Sequence, residues 1–366
     1  MKILEPTFGA FSGGGERSIA VLMSGGVDSS VSAYRLKQAG WSVVGITMII
    51  PMACQSGKRA CCGADAAFVS ERLGIPHYFV NVAEEFTQFI VEPFRRAYAS
   101  GYTPNPCAEC NAVLKFRLLW DLLEKTFGIA HLATGHYARI VRNGQARLAC
   151  AQDPDKDQSY FLYGIPKRRL GQLELPVSEL TKPQVREIAR EAEIPVAEKP
   201  ESMELCFAGE GDYRQALGLT TEPGDLLDMG GKKIGTHTGI ANYTIGQRRG
   251  LGFAGGKPLY VRRIDPAANT VSLGTREEVC SRVVGVEDTN VLLEDEWAVG
   301  RRLSGKVRSY AGGDACTIVE IGEGTATVEF EKPIFAPCPG QKLVLYNSAL
   351  EVVGGGVIKK DIGYSG

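Results

Sequence analysis

Two groups of residues in this chain have types and spacings that do chemistry. The first is Ser24-Gly25-Gly26-Val27-Asp28-Ser29. Ile19 to Met23 lead into it as an unbroken apolar run, the pattern of a strand buried on both faces. Beyond it, Val31, Ala33, Tyr34 and Leu36 recur at helical spacing until Gly40. A strand, a turn of small residues and a helix start make a site for an anion. The turn's N–H groups point inward, no Cβ blocks a phosphate, and the helix dipole favours negative charge. No Gly-Lys-Ser/Thr follows, no lysine sits in the turn and no Gly-x-Gly-x-x-Gly stands at this turn, which excludes the Walker and dinucleotide versions here. The plainer alternative is an ordinary tight turn with Asp28 as a helix cap.

The second group is thiols. Cys107-Ala-Glu-Cys110 stands between the proline-stiffened Pro104-Asn105-Pro106 and a helix expected to be capped by Asn111. Cys110 would then immediately precede the helix, where the dipole lowers a thiol's pKa and makes thiolate available. A lone Cys-x-x-Cys suits a redox pair, half of a zinc site, or ligands to an iron–sulfur cluster. No second pair stands at zinc-ribbon spacing, which weakens the structural zinc reading. Cys206, in Lys199-Pro-Glu-Ser-Met-Glu-Leu-Cys-Phe207, is the other strong candidate and can approach only through the fold.

The elements that must position these groups follow from periodicity. Trp41 to Ile50 reads as a second strand, Pro51 to Gly63 as a loop, Asp65 to Leu73 as a helix and His77 to Val82 as a third strand. Phe116, Leu119, Trp120, Leu123 and Phe127 share one face of a long helix, and Ile129 to Thr134 makes a fourth strand. Alternating strands and helices predict an α/β fold with a doubly wound parallel sheet, whose ligands lie at the carboxyl ends of the strands. The turn at Ser24, the strand end near Met48 and Gly135-His136 should therefore face one cleft. Thr181-Lys-Pro-Gln184 has the form of a capping box, followed by Val185, Ile188, Ala189 and Ala192 at helical spacing. From about Pro223 glycines become frequent and strands short, and Arg301 to Lys360 alternates polar and apolar residues. The expected organisation is a loose tail over 1–17, a catalytic domain over 18–214, a small β-rich central domain over 215–279 and a C-terminal antiparallel β-barrel over 280–366.

A net charge of -1 excludes binding nucleic acid by bulk positive charge, so any such surface must be local. The pairs Arg168-Arg169, Lys232-Lys233, Arg248-Arg249, Arg262-Arg263 and Arg301-Arg302 supply candidates. No apolar run approaches the roughly 20 residues needed to span a bilayer, and the start carries no apolar leader segment. With that composition the ten cysteines read as a cytoplasmic set. Cys150, Cys280, Cys316 and Cys338 sit singly among small or apolar neighbours as core or incidental thiols. Cys54, Cys61 and Cys62 read as surface thiols, with a sulfur relay as the alternative.

The first turn resembles the pyrophosphate loop of ATP pyrophosphatases, the adenine nucleotide alpha-hydrolase-like group, which cleave ATP between the α and β phosphates. Asp28 would repel phosphate unless a divalent cation intervened, so Mg²⁺ is implied. Ser24 to Ser29, Thr103-Pro-Asn-Pro-Cys-x-x-Cys-Asn111, Leu114-Lys-Phe116, Ala133-Thr-Gly-His-Tyr-Ala-Arg139, Lys156-Asp-Gln-Ser-Tyr-Phe-Leu162 and Thr244-Ile-Gly-Gln-Arg-Arg-Gly-Leu251 together resemble the bacterial tRNA-specific 2-thiouridylases, in identity and in order. The resemblance runs from about Ser18 to the C-terminus.

That resemblance implies a tRNA-uridine 2-sulfurtransferase that adenylates the C2 oxygen of the wobble uridine with ATP and then delivers sulfur. A cysteine at the Cys206 position carries the persulfide and one at the Cys110 position is the nucleophile, the pair ending as a disulfide that must be reduced. The variant is an oxygen-sensitive [4Fe–4S] cluster held by Cys107, Cys110 and Cys206. Leu22, Met23, Ser24, Gly25, Gly26, Val27, Asp28, Ser29, Met48 and Gly135 would bind ATP, with Asp28 also catalytic. Asn105, Pro106 and Cys107 would touch the target base, which must leave its stack to be reached. His136, Lys156, Asp157, Gln158, Arg308, Ser309 and Gln341 would contact tRNA. A cysteine desulfurase or sulfur-relay protein would supply sulfur to a monomeric enzyme. Ser309 stands where the family commonly has an aromatic residue, Glu201-Ser202 replaces Asp-Ser, and Leu205 replaces isoleucine.

Overall fold

A computed structural model of the chain describes residues 1–50, 62–200, 222–252, 257–310 and 312–360. These form two compact units. One comprises Met1–Phe89 and the chain from Glu109 to residue 200; the other comprises Ile90–Ala108 and the chain from residue 222.

The first unit is built on a six-stranded sheet. Its order is β1 (Lys2–Phe8), β4 (His77–Asn81), β3 (Ser42–Ile49), β2 (Ser18–Leu22), β5 (His131–Thr134) and the short strand Leu173–Glu174. Every pair is parallel except β1 on β4. From β2 the chain winds through α1 (Val27–Gln38), β3 and α2 (Cys62–Leu73) to β4, then crosses back to lay β5 on the other side of β2. The winding thus reverses between β2 and β5, the place where open α/β sheets bind ligands. Leu22 pairs with Thr134 there, so the turn at Ser24 and the turn at Gly135 emerge side by side.

The buried face explains the helices. Ile19 and Val21 of β2 are fully buried against Val31 and Ala33 of α1, and Val185 and Ala189 of helix Lys182–Glu191 close the same core. The expected capping box is present: the Thr181 N–H donates to Gln184 Oε1 at 2.8 Å. Phe116, Leu119, Trp120 and Leu123 are fully buried, each worth roughly 1.5–3 kcal/mol of burial.

Three expectations are corrected. The N-terminal residues are not a loose tail throughout, because Lys2–Phe8 adds an antiparallel edge strand with Ile3 opposite Val80 and Pro6 opposite Tyr78. Pro6 sits at a register shift, which an edge strand tolerates. The long helix starts at Pro106 rather than at Asn111. Asn105 Oδ1 accepts the Ala108 N–H at 3.1 Å, so Asn105 is the cap and Pro106 the first helical residue. The helical turn Pro106–Glu109 runs into a π-helical stretch, Cys110–Leu119, and then Trp120–Phe127. Finally, Ile90–Ala108 belongs to the second unit instead of the first.

In the second unit a four-stranded sheet runs Lys233–His237, Gly224–Leu227, Thr270–Gly274, Tyr260–Asp265. Beyond it a closed six-stranded antiparallel barrel begins at Cys280. Its interior is filled by Val284, Val286, Ile318, Val328, Phe330, Leu343 and Leu345. Helix Glu92–Ala99 buries Phe94 and Tyr98, one turn apart. The segment after it is tied to the barrel: the Thr103 N–H donates to Pro339 O, and Gln341 Nε2 to Thr103 O, both at 2.8 Å.

Candidate active site at the Ser24–Ser29 turn

The turn has the form expected of an anion site. Met23 is held by its N–H on Ile46 O and by Thr47 Oγ1 donating to its carbonyl, both at 2.8 Å. Gly25 then adopts φ +72°, a conformation that side chains resist. Gly26 is the N-cap of α1 in an extended conformation and provides no side-chain cap to the helix's first turn. A first turn without a side-chain cap keeps N–H donors for a ligand. Inside the turn, Ser29 Oγ donates to Gly26 O at 3.1 Å and accepts the Ser24 N–H at 3.3 Å, while Ser30 Oγ donates to Gly26 O at 2.9 Å. The serines therefore fold the loop on itself and leave Ser24 exposed at its apex.

Gly135 is fixed by sterics. A Cβ there would lie 2.6 Å from Ser29 N and 2.8 Å from the Asp28 carbonyl carbon. Only glycine lets the end of β5 reach the first turn of α1.

Asp28 is the carboxylate of the site. Its Oδ1 accepts the Tyr137 hydroxyl at 2.7 Å, and the buried Lys182 ammonium spans Oδ1 and Oδ2 at 2.8 and 2.7 Å. A second lysine, Lys199, donates to Gly25 O at 2.9 Å and pairs with Asp65. The turn that carries no lysine is thus flanked by two, both from late in the chain.

Cys110 is buried, 7% exposed, at the start of the π-helical stretch. The corrected helix start places it beyond the first turn, where the dipole has faded. Asn111, expected to cap, instead donates from Nδ2 to Phe161 O at 3.1 Å and accepts Lys115 Nζ at 2.9 Å. Beside it, His136 bonds Thr134 Oγ1 through Nδ1 at 2.8 Å. Burial, reinforced by the Lys115 charge, pushes the imidazole down to about 3 and keeps it neutral.

Comparison with known proteins agrees with this geometry. Residues 17–210 match the family model described as the tRNA methyl transferase HUP domain, 216–275 the tRNA methyl transferase PRC-barrel domain and 282–358 the aminomethyltransferase beta-barrel domain. The tRNA-specific 2-thiouridylase MnmA of Bradyrhizobium sp. (strain ORS 278) is 40% identical over 95% of this chain and 92% of its own. That of Chloroflexus aggregans is 40% identical over 94% and 99%, and MnmA 1 of Syntrophus aciditrophicus 41% over 96% and 95%. The chain belongs to the tRNA-specific 2-thiouridylase family.

The remaining positions expected from the 2-thiouridylase resemblance fall as follows. Met48 lies near the end of β3, on the far side of β2 from Gly135 in the sheet. Gln158 is tied to the Gly135–Tyr137 turn by both its backbone and its side chain, at 2.7 and 3.0 Å. Asp157 accepts from the Ala151 N–H, the Ser159 N–H and Ser159 Oγ, at 2.9–3.2 Å, and so shapes its own loop. In the second unit, Asn105 caps a helix, Pro106 is buried and Cys107 is exposed. Arg308 donates to Ile245 O and Ala336 O, at 3.2 and 2.8 Å, and Gln341 holds Thr103. Ser309 is half-buried beside the exposed Tyr310. Cys206, Glu201, Ser202, Leu205, Cys54 and Cys61 lie outside the described residues. Among the described residues no group of three His, Cys, Asp or Glu side chains could hold a metal ion. No described helix is long and apolar enough to cross a membrane.

The reading of the scattered thiols is sound for Cys150, Cys316 and Cys338, which are buried. Burial, with Asp314 and Glu331 adding to it, pushes the Cys316 thiol up to about 12. Sequence reasoning missed Tyr137, Lys182 and Lys199 as partners of the turn. Lys182 carried a signal: a cation in the first helical position opposes the dipole and needs an anion nearby.

Proposed function

We propose that this enzyme places sulfur on C2 of the wobble uridine of tRNA, using ATP to activate the oxygen it replaces. The observation that carries the reading is the α1 first turn without a side-chain cap, wedged against Gly135 and set beside Asp28. The C2 oxygen of uridine is a poor leaving group. When O2 attacks the α-phosphorus, the bond to the bridging oxygen breaks, pyrophosphate departs with the electron pair, and the N3 proton is lost. AMP is then a good leaving group on C2.

A persulfide on Cys206 supplies the sulfur. Its terminal sulfur attacks C2 and expels AMP, then Cys110 thiolate attacks Cys206 Sγ. The sulfur–sulfur bond of the persulfide breaks toward the nucleoside, giving 2-thiouridine and a Cys110–Cys206 disulfide. A two-electron dithiol reductant resets the pair. A nucleotide turn joined to a chain with paired thiols suits sulfur transfer better than methyl transfer.

Residues Leu22 to Ser29, Met48 and Gly135 take the nucleotide in this reading. Asn105 to Cys107 meet the extruded base, and His136, Lys156, Asp157, Gln158, Arg308, Ser309 and Gln341 serve the tRNA. The internal bonds of Gln158 and Gln341 make these two positioning residues for the segments that lead to Tyr137 and Asn105. Asp28, whose two oxygens here accept from Lys182 and Tyr137, is the carboxylate that would hold Mg²⁺, an ion that takes few protein ligands and completes its shell with phosphate oxygens and water. When bound it would neutralise triphosphate charge. For [4Fe–4S] the described residues offer Cys107 and Cys110, with Cys206 outside them, and no step is drawn through a cluster. A cysteine desulfurase or relay protein loads Cys206, and the enzyme acts as a monomer in the cytoplasm.

The test is incubation with unmodified tRNA, ATP, Mg²⁺ and a sulfur donor, followed by nucleoside analysis. Expected is 2-thiouridine from the parent and none from Cys110→Ala or Cys206→Ala. Variants as active as the parent would defeat the thiol roles, and anaerobic iron and sulfide analysis decides between persulfide and cluster.

A further inference from the structure

The reaction proposed above leaves Cys110 oxidised and gives the neighbouring thiol of Cys107 no chemistry. Contact with an extruded base asks for no sulfur, so the Cys107 thiol is unexplained. The structure sets the two cysteines apart in accessibility and together in register. They lie three residues apart in one helical run, Pro106–Glu109 continuing into Cys110–Leu119, so their side chains are neighbours. Cys107 is exposed, whereas Cys110 is only 7% exposed. The Asn105 cap makes Cys107 the second residue of the run, where the dipole favours an anion, here a thiolate. The helix start at Pro106 thus takes from Cys110 the advantage that a start at Asn111 would have given it, and hands it to Cys107. Thiol–disulfide exchange depends on access to the sulfur attacked. A reductant of protein size meets Cys107 and is kept from Cys110.

We propose that Cys107 is the resolving thiol of this enzyme, carrying the oxidation of Cys110 to the surface for a protein dithiol to remove. The Cys107 thiolate attacks Cys110 Sγ of the spent disulfide. A Cys107–Cys110 bond forms, the Cys110–Cys206 bond breaks, and its electron pair leaves on Cys206 as thiolate. One thiolate of the dithiol then attacks the exposed Cys107 Sγ and expels Cys110 as thiolate. The second resolves the mixed disulfide, so two electrons pass inward and the dithiol departs as its own disulfide. Helical residues three apart hold their Cβ atoms about 5–6 Å from one another, and a disulfide needs about 3.5–4.5 Å. The first turn must therefore tighten by roughly 1–2 Å, a change that helix ends accommodate through i→i+3 bonds. Strained, exposed disulfides are the readily reduced ones, so this bond forms in passing and does not persist. The inference rests on the persulfide reading above.

The test takes the full chain, parent and Cys107→Ser, through one turnover with unmodified tRNA, ATP, Mg²⁺ and a sulfur donor, without reductant. Reactions are quenched in acid, remaining thiols are blocked with N-ethylmaleimide, and disulfides are mapped by peptide mass spectrometry. The parent is expected to yield both Cys110–Cys206 and Cys107–Cys110 peptides, and Cys107→Ser the first alone. The spent chains are then reduced with thioredoxin, a protein dithiol, or with dithiothreitol. Thioredoxin should reduce Cys107→Ser about tenfold or more slowly than the parent, while dithiothreitol, small enough to enter, reduces both at similar rates. Equal thioredoxin rates, or a parent without the Cys107–Cys110 peptide, overturns the proposal. If Cys107→Ser does not fold by thermal melting, the parent's peptides decide. A further arm needs no tRNA: Cys206→Ser, equilibrated in glutathione buffers, should form and lose the Cys107–Cys110 disulfide reversibly, and failure to form it overturns the proposal. A parent that makes no 2-thiouridine defeats the persulfide reading instead, and the glutathione titration then judges the thiol pair separately.

Discussion

Gly135 presses on the backbone of Ser29 so closely that a methyl group added to it would sit 2.6 Å from the Ser29 nitrogen. The contact joins the end of β5 to the first turn of α1, across the point where the sheet reverses its winding. Gly135→Ala must push that turn away. Overpacking of this kind costs about 1–3 kcal/mol, and the displaced N–H groups should weaken ATP binding by about tenfold or more. Gly171→Ala is the control, because its new Cβ meets nothing within 4 Å. Calorimetry and thermal melting should show the first variant impaired and the second unchanged.

Acid should loosen the strand end beneath the turn. His77 is fully buried, bonded to Thr7 Oγ1 at 2.7 Å and Thr47 Oγ1 at 2.8 Å, and Thr47 in turn holds Met23. Burial lowers His77 from 6.5 to about 4. The fold therefore binds the neutral ring, while the unfolded chain takes up a proton below its ordinary value. This contribution is complete above pH 6.5, falls as pH drops toward 4 and is level below that. It amounts to roughly 3 kcal/mol. His136 is lowered too and acts in the same direction. Urea unfolding between pH 7.5 and 4.5 should show a smaller acid loss in His77→Gln than in the parent. An identical loss in both would reject this assignment.

Much of the first unit could be read from the chain because its strands are buried on both faces and its turns are marked by glycine. What could not be read shares one cause: a local pattern with two meanings. Asn105-Pro106 and Asn111 are both acceptable helix starts, and only the bond from Ala108 to Asn105 decides between them. Lys2–Phe8 is a strand because β4 offers an open edge, a fact of tertiary structure. Lys182 looked like part of a capping box, which it is, but its ammonium reaches Asp28 only once two distant helices pack. The Arg and Lys pairs illustrate the same point. Arg169 is buried between Asp121 and Glu124, each at 2.6 Å, over the Trp120 ring, and belongs to the core rather than to an RNA surface.

Thiol reactivity should sort by environment. Cys107 is exposed, whereas Cys316 and Cys338 are buried with thiols pushed upward. Since thiolate is the reacting form, iodoacetamide at neutral pH should label Cys107 at least on the order of 100-fold faster than either buried thiol. Peptide mass spectrometry over a labelling time course measures this. Labelling of Cys316 at the rate of Cys107 would mean that the closed barrel opens readily.

The salt dependence of tRNA binding identifies which basic residues meet phosphate. Several of the pairs are already neutralised: Arg301 by Glu296 at 2.7 Å, Arg302 by Glu331, Arg263 by Asp265 at 3.0 Å and Lys233 by Asp225 at 2.5 Å. Arg248 and Arg249 are exposed and, among the described residues, face no carboxylate within ion-pair distance. A cation with a carboxylate partner releases few counterions on meeting RNA, whereas one without a partner contributes its full share. Replacing both Arg248 and Arg249 with alanine should reduce the slope of log affinity against log salt by about 1–2. The Arg301→Ala/Arg302→Ala pair should change it by less than half as much. Filter binding of unmodified tRNA over a range of salt measures both slopes. If Arg301 and Arg302 proved the larger contributors, the RNA would have to displace Glu296 and Glu331, and the tRNA surface would lie on the barrel instead.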